Sequence, residues 1–395
     1  MQSSQTFIVY RDELFNASET FIPAQAESLG HFRPYYLGLR PIHDLHPPHD
    51  RVHFISRAGL AGKGKRIQFK LLGPNTALRQ RLLKLNPVLL HAHFAPDACN
   101  ALALTRALKV PLVASCHGCD ITVRDDRQTS LYLWRREKLK AQCSRFLCVS
   151  NFLLEQALAK GFPADRTLVH YTGVNVDLFC PDPRISRSPV VLFVGRLVPV
   201  KGCEYLIRAM ADIQAFAPEA KLVVIGDGPL RSNLELQASK SVRNFEFLGV
   251  QSPDAVRKWM NRATVFCTPS VLAESGQREA FGMVFAEAQA MGLPVVSFAS
   301  GGIPEAVADG QTGFLVPERD WQALAERILL FLRDGNLWAQ FSRAGELRVR
   351  SQFDIRKQAQ ALEAIYEQVI EEYCRARKPV ESREQTILAW RSTHD

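Results

Sequence analysis

Glu279-Ala280-Phe281-Gly282-Met283-Val284-Phe285-Ala286-Glu287 sets two carboxylates eight positions apart around a Phe-Gly step. In one continuous helix they would lie about 80° apart around the axis. A loop at Gly282 removes that constraint and lets Glu279 fold back over a helix running from about Met283 to Met291. Free N–H groups, a positive helix end and two carboxylates then surround one point. That arrangement suits a ligand carrying both phosphate and hydroxyl groups, of which nucleotide sugars are one class. Acids that merely complement a helix dipole would give the same local pattern, so the rest of the chain has to decide.

At 395 residues the chain exceeds one typical core and fits two domains. Its longest apolar runs, Val190 to Val194 and Pro294 to Phe298, are strand-sized, far below the roughly 18 residues of a membrane helix. The opening residues show neither a basic end nor an apolar stretch of signal-peptide length, so a cytoplasmic location is expected. Nine scattered cysteines, an odd number, argue against a disulfide framework, and Cys116-x-x-Cys119 has no second pair to complete a zinc site. The formal charge of +9 belongs to the first half: residues 1–184 hold 24 Lys/Arg against 15 Asp/Glu, and residues 185–395 hold 25 of each. Clusters at Arg57, Lys63, Lys65, Arg66 and Lys70, and at Arg135, Arg136, Lys138 and Lys140, are either a solvated face or an attraction to anionic lipid headgroups. No aromatic interleaving or reader motif accompanies them, so nucleic acid is not an expected partner.

The first half alternates short strands with helices, the pattern of a parallel sheet covered on both faces. Strands are read at Phe7–Tyr10, Val52–Ile55, Val88–Ala92, Leu112–Ser115, Phe146–Val149 and Thr167–Tyr171. Helices are read near Glu19, with Ser18 as N-cap, and at Ala77–Leu85, Ala98–Leu108 and Asn151–Lys160. Ligands collect beyond the carboxyl ends of such strands. His91-Ala-His93-Phe-Ala-Pro-Asp97 and Ser115-Cys-His117-Gly118-Cys-Asp120 both fall there, with His117 the stronger functional candidate. His43, His46, His49 and His53 flank Pro47-Pro48 and read as an exposed loop, not a metal site. No Asp-x-Asp occurs anywhere in the chain, so no metal cofactor is expected.

Proline-rich sequence to Pro183 and a fresh buried strand at Pro189–Val194 place a domain boundary at 184/185. Arg196 and Lys201 follow in a strand-to-helix loop, where a fork and a point charge can grip one diphosphate in place of a metal. Both cations read as exposed and of little consequence for the fold. A helix from Cys203 to Phe216, further strands at Lys221–Ile225, Phe245–Leu248, Val265–Thr268, Val295–Phe298 and Phe314–Val316, and a helical stretch from Trp321 to Arg377 complete the pattern. Gly301-Gly302-Ile303-Pro304-Glu305 reads as another helix start suited to backbone near a ligand.

Taken together, Gly195-Arg196 with Lys201-Gly202, Gly226-Asp-Gly-Pro229, Glu279 with Glu287, Gly301-Gly302-Ile-Pro-Glu305 and Gly310-Gln-Thr-Gly313-Phe-Leu-Val-Pro317 resemble the retaining glycosyltransferases of family 4. His117-Gly118-Cys-Asp120, Val149-Ser150 and Gly173-Val-Asn175 extend the resemblance over nearly the whole chain. It implies an α/β fold of the GT-B type, two Rossmann-like parallel-sheet domains facing a central cleft. Residues 1–184 would bind acceptor, 185–355 would bind nucleotide sugar, 356–380 would form a helix returning to the first domain, and 381–395 a polar tail. The resemblance further implies roles. Arg196 and Lys201 would hold the donor diphosphate beside Gly195, with N–H groups of Met283 and Val284 assisting. Glu287 would accept from ribose hydroxyls, the base would lie near Gly249 and Val250, and Glu279 with Phe281 and Gly282 would read the transferred sugar. His117 would face its reacting side, while Glu19, Thr20, His93 and Asp120 would lie toward the acceptor.

One departure concerns the loop after the first strand, where many relatives carry Gly-Gly. Tyr10-Arg11-Asp12-Glu13 stands here instead, similar to the branch that builds bacterial exopolysaccharide or lipid-linked units. Expected partners are a nucleoside-diphosphate sugar, of uridine type before guanosine type, a saccharide or lipid-linked acceptor, and an anionic membrane surface. A nucleotide-sugar-binding subunit without catalysis, or a sugar-nucleotide epimerase on a similar fold, would share the donor cleft and differ in product.

Overall fold

The computed structural model describes residues 4–14, 19–41, 49–56 and 60–377. Ser18, Arg57, His43, His46 and the 381–395 tail lie outside them. In the first sheet β1 (Gln5–Leu14), β2 (Phe32–Pro41), β3 (Val52–Phe54), β4 (Leu89–His93), β5 (Leu112–Cys116), β6 (Arg145–Cys148) and β7 (Thr167–Val169) run parallel in the order β3-β2-β1-β4-β5-β6-β7. The second holds β8 (Val190–Val194), β9 (Lys221–Ile225), β10 (Phe245–Gly249), β11 (Val265–Cys267), β12 (Val295–Phe298) and β13 (Gly313–Val316) in the order β10-β9-β8-β11-β12-β13. Both are α/β layers of the expected Rossmann-like kind.

The strands read as unbroken apolar runs because both faces are covered. In β1, Ile8 and Tyr10 enter one core while Phe7 and Val9 enter another. The second core is completed from the far end of the chain. The Ile355–Arg377 helix lays Ala359, Leu362, Tyr366 and Val369 against Phe7, Val9, Phe32 and Tyr36. Its spacing of three, four and three residues is one helical stripe. The expected return of the last helix to the first domain is therefore a matter of core burial, reinforced by Arg145 to Glu372 at 2.8 Å and the His31 N–H to Glu363 at 2.6 Å.

Strand β2 is the element that local pattern conceals. Pro34 and Gly38 both count against a strand. Yet Gly38 pairs with Arg11, and a Cβ there would come within 2.8 Å of Leu14 Cδ1. The glycine is what allows this register. The helices Leu60–Leu72 and Ser130–Gln142 fall where the sequence offered only basic clusters.

Among the described residues the two domains meet at several places, one of them the Arg124 N–H donating to Ser275 O at 2.9 Å. Val174 N–H donates to Phe353 O at 2.7 Å and Ile355 N–H donates to Val174 O at 2.9 Å, stitching the connector to the returning segment. Ser150 Oγ donates to Ala280 O at 2.5 Å. Glu305 accepts from the N–H groups of Asn151 and Phe152, both at 2.7 Å, and from Tyr171 Oη at 3.0 Å. A carboxylate from the second domain thus caps the Asn151–Ala159 helix of the first. The Gly301–Glu305 helix start, read from the sequence as suited to backbone near a ligand, thus carries an interdomain contact. A Cβ at Gly302 would lie 1.8 Å from Ala280 O, and one at Gly301 2.1 Å from Glu279 O. The glycine pair presses on protein backbone, and Glu305 reaches across to the other domain.

Glu305→Ala is expected to destabilise the chain by about 1–3 kcal/mol, the cost of leaving such donors without their charged acceptor. Glu305→Gln should fall between it and the parent in urea unfolding. Equal midpoints for all three proteins would remove the interdomain cap.

Candidate functional site

The carboxyl ends of β8, β9 and β10 are drawn together by glycines. Gly226 N–H donates to Gly249 O at 2.8 Å and Gly195 N–H to Ile225 O at 3.0 Å. A Cβ at Gly226 would lie 1.9 Å from Gly195 O, so no other residue allows this convergence. Beyond these ends, Arg196 is exposed and no hydrogen bond or ion pair engages its guanidinium among the described residues. Val250 is exposed beside Gly249.

Lys201 behaves differently. Its Nζ lies 2.5 Å from Glu279 Oε2, with side chains 18% and 12% exposed. Ser270 Oγ donates to the same oxygen at 3.2 Å. The expectation that both loop cations matter little to the fold therefore holds for Arg196 in its geometry and not for Lys201, whose loss would strand a mostly buried carboxylate. Ser270 carries no motif in the sequence and is found only by this contact.

Glu279 leads into the expected turn. Gly282 takes φ +79°, where a Cβ would sit 2.4 Å from the Phe285 ring, and the helix runs Met283–Ala290. No acceptor reaches the Met283 and Val284 N–H groups among the described residues. Glu287 stands about one turn on, its carboxylate also unpartnered among them, and burial pushes that carboxyl up to about 7. Phe281 is 3% exposed and packs between Tyr171 and Phe353 at 5.4 and 5.1 Å, so its side chain serves the domain junction. Lys201, Glu279, Gly282, Met283 and Val284 are thus grouped, with Glu287 further along the same helix.

The opposing wall belongs to the first domain. His91, His93 and His117 stack in series, with ring centroids 4.4 and 5.2 Å apart. His93 Nδ1 and His117 Nε2 share one hydrogen bond at 3.0 Å. His91 is held by Tyr366 Oη at 2.6 Å and Ser115 Oγ at 2.7 Å. Burial lowers His117 to about 3, with the Arg11 charge adding to it, and lowers His91 to about 3 beside its histidine neighbours. His93 falls well below its ordinary range for the same reasons. The stack is therefore neutral at pH 7, and His117 acts as a neutral hydrogen-bonding group.

Asp120 accepts from the N–H groups of Ala95, His117 and Gly118 at 3.0, 3.1 and 2.8 Å. Asp120 and His93 are 5% and 1% exposed, so neither offers surface to an acceptor, and both position His117. Glu19 binds Arg11 through two bonds of 3.0 Å, and Thr20 adjoins it at the start of the Phe21–Glu27 helix. Arg11 also pairs with Asp97 and lies 4.2 Å above the Phe94 ring. The first-strand loop that departs from Gly-Gly thus holds a fixed guanidinium beside His117. Asp97, the last residue of the His91–Asp97 cluster read from the sequence, is pushed up to about 7 by burial and by the neighbouring Asp12.

The basic clusters divide in the structure. Arg136 and Lys140 are buried, Arg136 against Asp125 and Lys140 against Glu137, each at 2.7 Å, and leave the charged face expected of them. Lys70 is tied to Asp12 at 2.5 Å. Lys63, Lys65 and Lys138 remain exposed, and beside them stand Leu71, Leu72 and Trp134 at 74%, 78% and 57% exposure. Arg135 donates to Cys99 O at 3.2 Å and approaches Lys70 O at 3.5 Å, joining the two helices into one surface. Among the described residues no helix is long and apolar enough to cross a membrane, and no group of three metal-ligating side chains occurs.

Residues 181–348 match the family model "Glycosyl transferases group 1" and residues 39–178 match "Glycosyltransferase Family 4". The chain is 30% identical over 275 residues to a Corynebacterium glutamicum GDP-mannose-dependent monoacylated alpha-(1-6)-phosphatidylinositol monomannoside mannosyltransferase, covering 66% of this chain and 70% of that one. It is 31% identical over 252 residues to the putative colanic acid biosynthesis glycosyltransferase WcaL of Salmonella typhimurium, covering 61% of each. Sucrose-phosphate synthase from Thermosynechococcus elongatus superposes with a TM-score of 0.76 at 21% identity, over 93% of this chain and all of that one. Anabaena HepE, solved with UDP, superposes at 0.73 and 20%, over 92% and all of it. The architecture is GT-B. The chain belongs to the group 1 glycosyltransferases of family 4, with relatives in bacterial exopolysaccharide and glycolipid synthesis.

His91 and His117 each take up a proton on unfolding once pH drops below about 6.5, whereas the folded sites resist to about 3. Stability should therefore be fully present above pH 6.5 and fall as pH drops toward 3. At pH 5 the loss is of order 2 kcal/mol per histidine. Guanidinium unfolding at pH 7 and pH 5 checks this, and His91→Gln should flatten the slope. An unchanged midpoint would contradict neutral burial.

Proposed function

We propose that the protein transfers a hexose, with retention of anomeric configuration, from a nucleoside-diphosphate sugar to a saccharide or lipid-linked acceptor in cell-surface polysaccharide synthesis. A UDP-sugar is the favoured donor and GDP-mannose the next. The observation that carries the reading is a set of groups with no partner among the described residues: the Met283 and Val284 N–H groups and the Glu287 carboxylate on one helix, and Arg196 in the loop after β8. Together they ask for a ligand with phosphates at one end and vicinal hydroxyls at the other.

In this reading Arg196 and Lys201 hold the diphosphate beside Gly195, and Glu287 accepts from the ribose while the base lies along Gly249 and Val250. Lys201 exchanges part of its bond to Glu279 for phosphate, freeing Glu279 to accept from sugar hydroxyls. The acceptor hydroxyl attacks the anomeric carbon on the face the diphosphate leaves, through an oxocarbenium-like state, and its proton passes to the departing phosphate oxygen. Charge grows on that oxygen in the transition state, where Arg196 and Lys201 stabilise it most. Neutral His117 hydrogen-bonds the sugar on the acceptor side. The two cations replace a divalent ion, so the proposed reaction is metal-independent.

A thermal-shift screen of UDP- and GDP-sugars identifies the donor, because a ligand bound only by the native state raises its melting point. With that donor, Arg196→Ala and Lys201→Ala should each lower kcat/KM by roughly a hundredfold. Arg196→Ala should leave the melting point in place while Lys201→Ala lowers it. Turnover should survive EDTA. Loss restored only by magnesium or manganese, or normal kinetics in both variants, would overturn this assignment of the diphosphate site. Interconversion of donor without acceptor would indicate the epimerase, and absence of any turnover the binding subunit.

The exposed Leu71, Leu72 and Trp134 among Lys63, Lys65 and Lys138 support docking on an anionic membrane surface from the cytoplasmic side. Each well-placed cation adds about 1 kcal/mol. Vesicle flotation should favour anionic over neutral liposomes and weaken as salt shortens the screening length from about 10 Å at 0.1 M to about 3 Å at 1 M. Equal recovery on both lipids, unmoved by Lys63→Glu with Lys138→Glu, would exclude it.

A further inference from the structure

The first domain contains a second hollow, at the outer edge of its sheet. It has a volume of about 250 Å³ and lies between the end of β3 and the helices Leu60–Leu72 and Thr76–Leu83. Phe69 and Leu78, 3% and 8% exposed, form an apolar floor with Ile55. Lys65, Arg81 and His53 stand around it. No carboxylate lines it, and no hydrogen bond or ion pair engages Lys65 or Arg81 among the described residues. Asn75 spends its Oδ1 on the Leu78 N–H at 2.8 Å, which leaves its amide N–H groups as donors. The charged groups facing the hollow are therefore cations, with the Gln68 and Asn75 amides beside them.

Elsewhere in the domain basic side chains find acids: Arg11 has Glu19 and Asp97, Arg136 has Asp125, and Lys70 has Asp12. Lys65 lies five residues before Lys70 on the same helix and has no such partner. Burial, and after it the Arg81 charge, holds His53 below its ordinary range, so the two side chains sense one another across the space. An anion entering here would neutralise Lys65 and Arg81, both without a carboxylate partner, and meet several donors at once. The hollow is smaller than the roughly 300–1,000 Å³ of most small-molecule sites, which fits a headgroup better than a nucleotide. Ile67, Leu71 and Leu72 are exposed on the same helix, giving an apolar surface beside it.

We propose that this hollow binds the phosphate monoester or diphosphate of an amphiphile, with Lys65, Arg81 and Asn75 on the phosphate and the exposed leucines beside its hydrocarbon. The site is separate from the donor cleft and does not depend on the reading of that cleft. It is joined to the wall opposite the donor by direct packing: Phe69 stacks on Tyr10 with centroids 6.1 Å apart, and Tyr10 Oη donates to Asp12 at 2.8 Å.

The probes are monomeric dihexanoyl phosphatidate, inorganic phosphate and pyrophosphate, with dihexanoyl phosphatidylcholine as the zwitterionic comparison. Binding is followed by calorimetry and by NMR titration of the His53 ring, identified from His53→Gln. Phosphatidate should saturate one site and raise the His53 pKa by about one unit, as a nearby anion favours the charged ring. Lys65→Glu with Arg81→Glu should weaken binding at least tenfold and abolish the His53 response, while the thermal shift produced by UDP is retained. Phosphatidate binding at least tenfold tighter than phosphate identifies a lipid headgroup as the source. Comparable binding of phosphate or pyrophosphate supports the same site with a free anion. If charge reversal also loses the UDP response, Lys65→Gln with Arg81→Gln replaces it and must show the same selective loss. Phosphatidylcholine binding as tightly as phosphatidate, a His53 ring that ignores every probe, or full affinity in the neutralised variant overturns the proposal.

Discussion

The close approach of two backbone segments governs the cleft. Glu279 and Ala280 carry carbonyl groups that lie where the Cβ atoms of Gly301 and Gly302 would otherwise be. Side chains at those positions would have to displace backbone, which a packed interior resists. Because the glycines leave room, the loop before the Met283–Ala290 helix can fold down, set Glu279 beside Lys201, and still receive Ser150 from the other domain. Gly118 adds a further approach to Ala280, where a Cβ would lie 3.0 Å away. One loop is therefore registered against both sheets at once.

Charge is distributed around that loop with different degrees of freedom. Lys201 and Glu279 neutralise one another, and Arg11 is neutralised by Glu19 and Asp97 on the opposite wall. Arg196 has no hydrogen-bond or ion-pair partner among the described residues, and burial raises the Glu287 carboxyl. The histidine stack has the reverse character. It is fully supported, neutral and locked by Tyr366 from the terminal helix, so it supplies position to His117 instead of charge.

The returning helix and the Glu305 cap make the two domains interdependent without merging their sheets. Burial of Tyr366 against Phe7 and Phe32, at 5.3 Å each, completes the first domain with residues from the end of the chain. Near Val174 and Phe353 two backbone bonds form a short bridge between the connector and the returning segment. Arg348 donates to Glu305 O at 2.7 Å and so connects that bridge region with the cap.

Local pattern in the sequence was enough for the elements whose signal is self-contained. Val190–Val194, Lys221–Ile225 and the Cys203–Phe216 helix follow from apolar runs and helical periodicity, and the Gly282 turn follows from a glycine between a loop and an apolar helix. Strand β2 did not, because Pro34 and Gly38 argue against a strand unless the neighbouring Leu14 is known to need the space. The ordered motifs likewise pointed to Arg196, Lys201, Glu279, Glu287 and His117 as a group, through their resemblance to a family. Tertiary structure alone decided that Lys201 and Glu279 pair across 78 residues, that Tyr366 reaches His91 across 275, and that Glu305 serves the junction and not a ligand. The reason is physical: periodicity records which face of an element is apolar, but a polar side chain's partner is chosen only when distant segments are brought within hydrogen-bond distance.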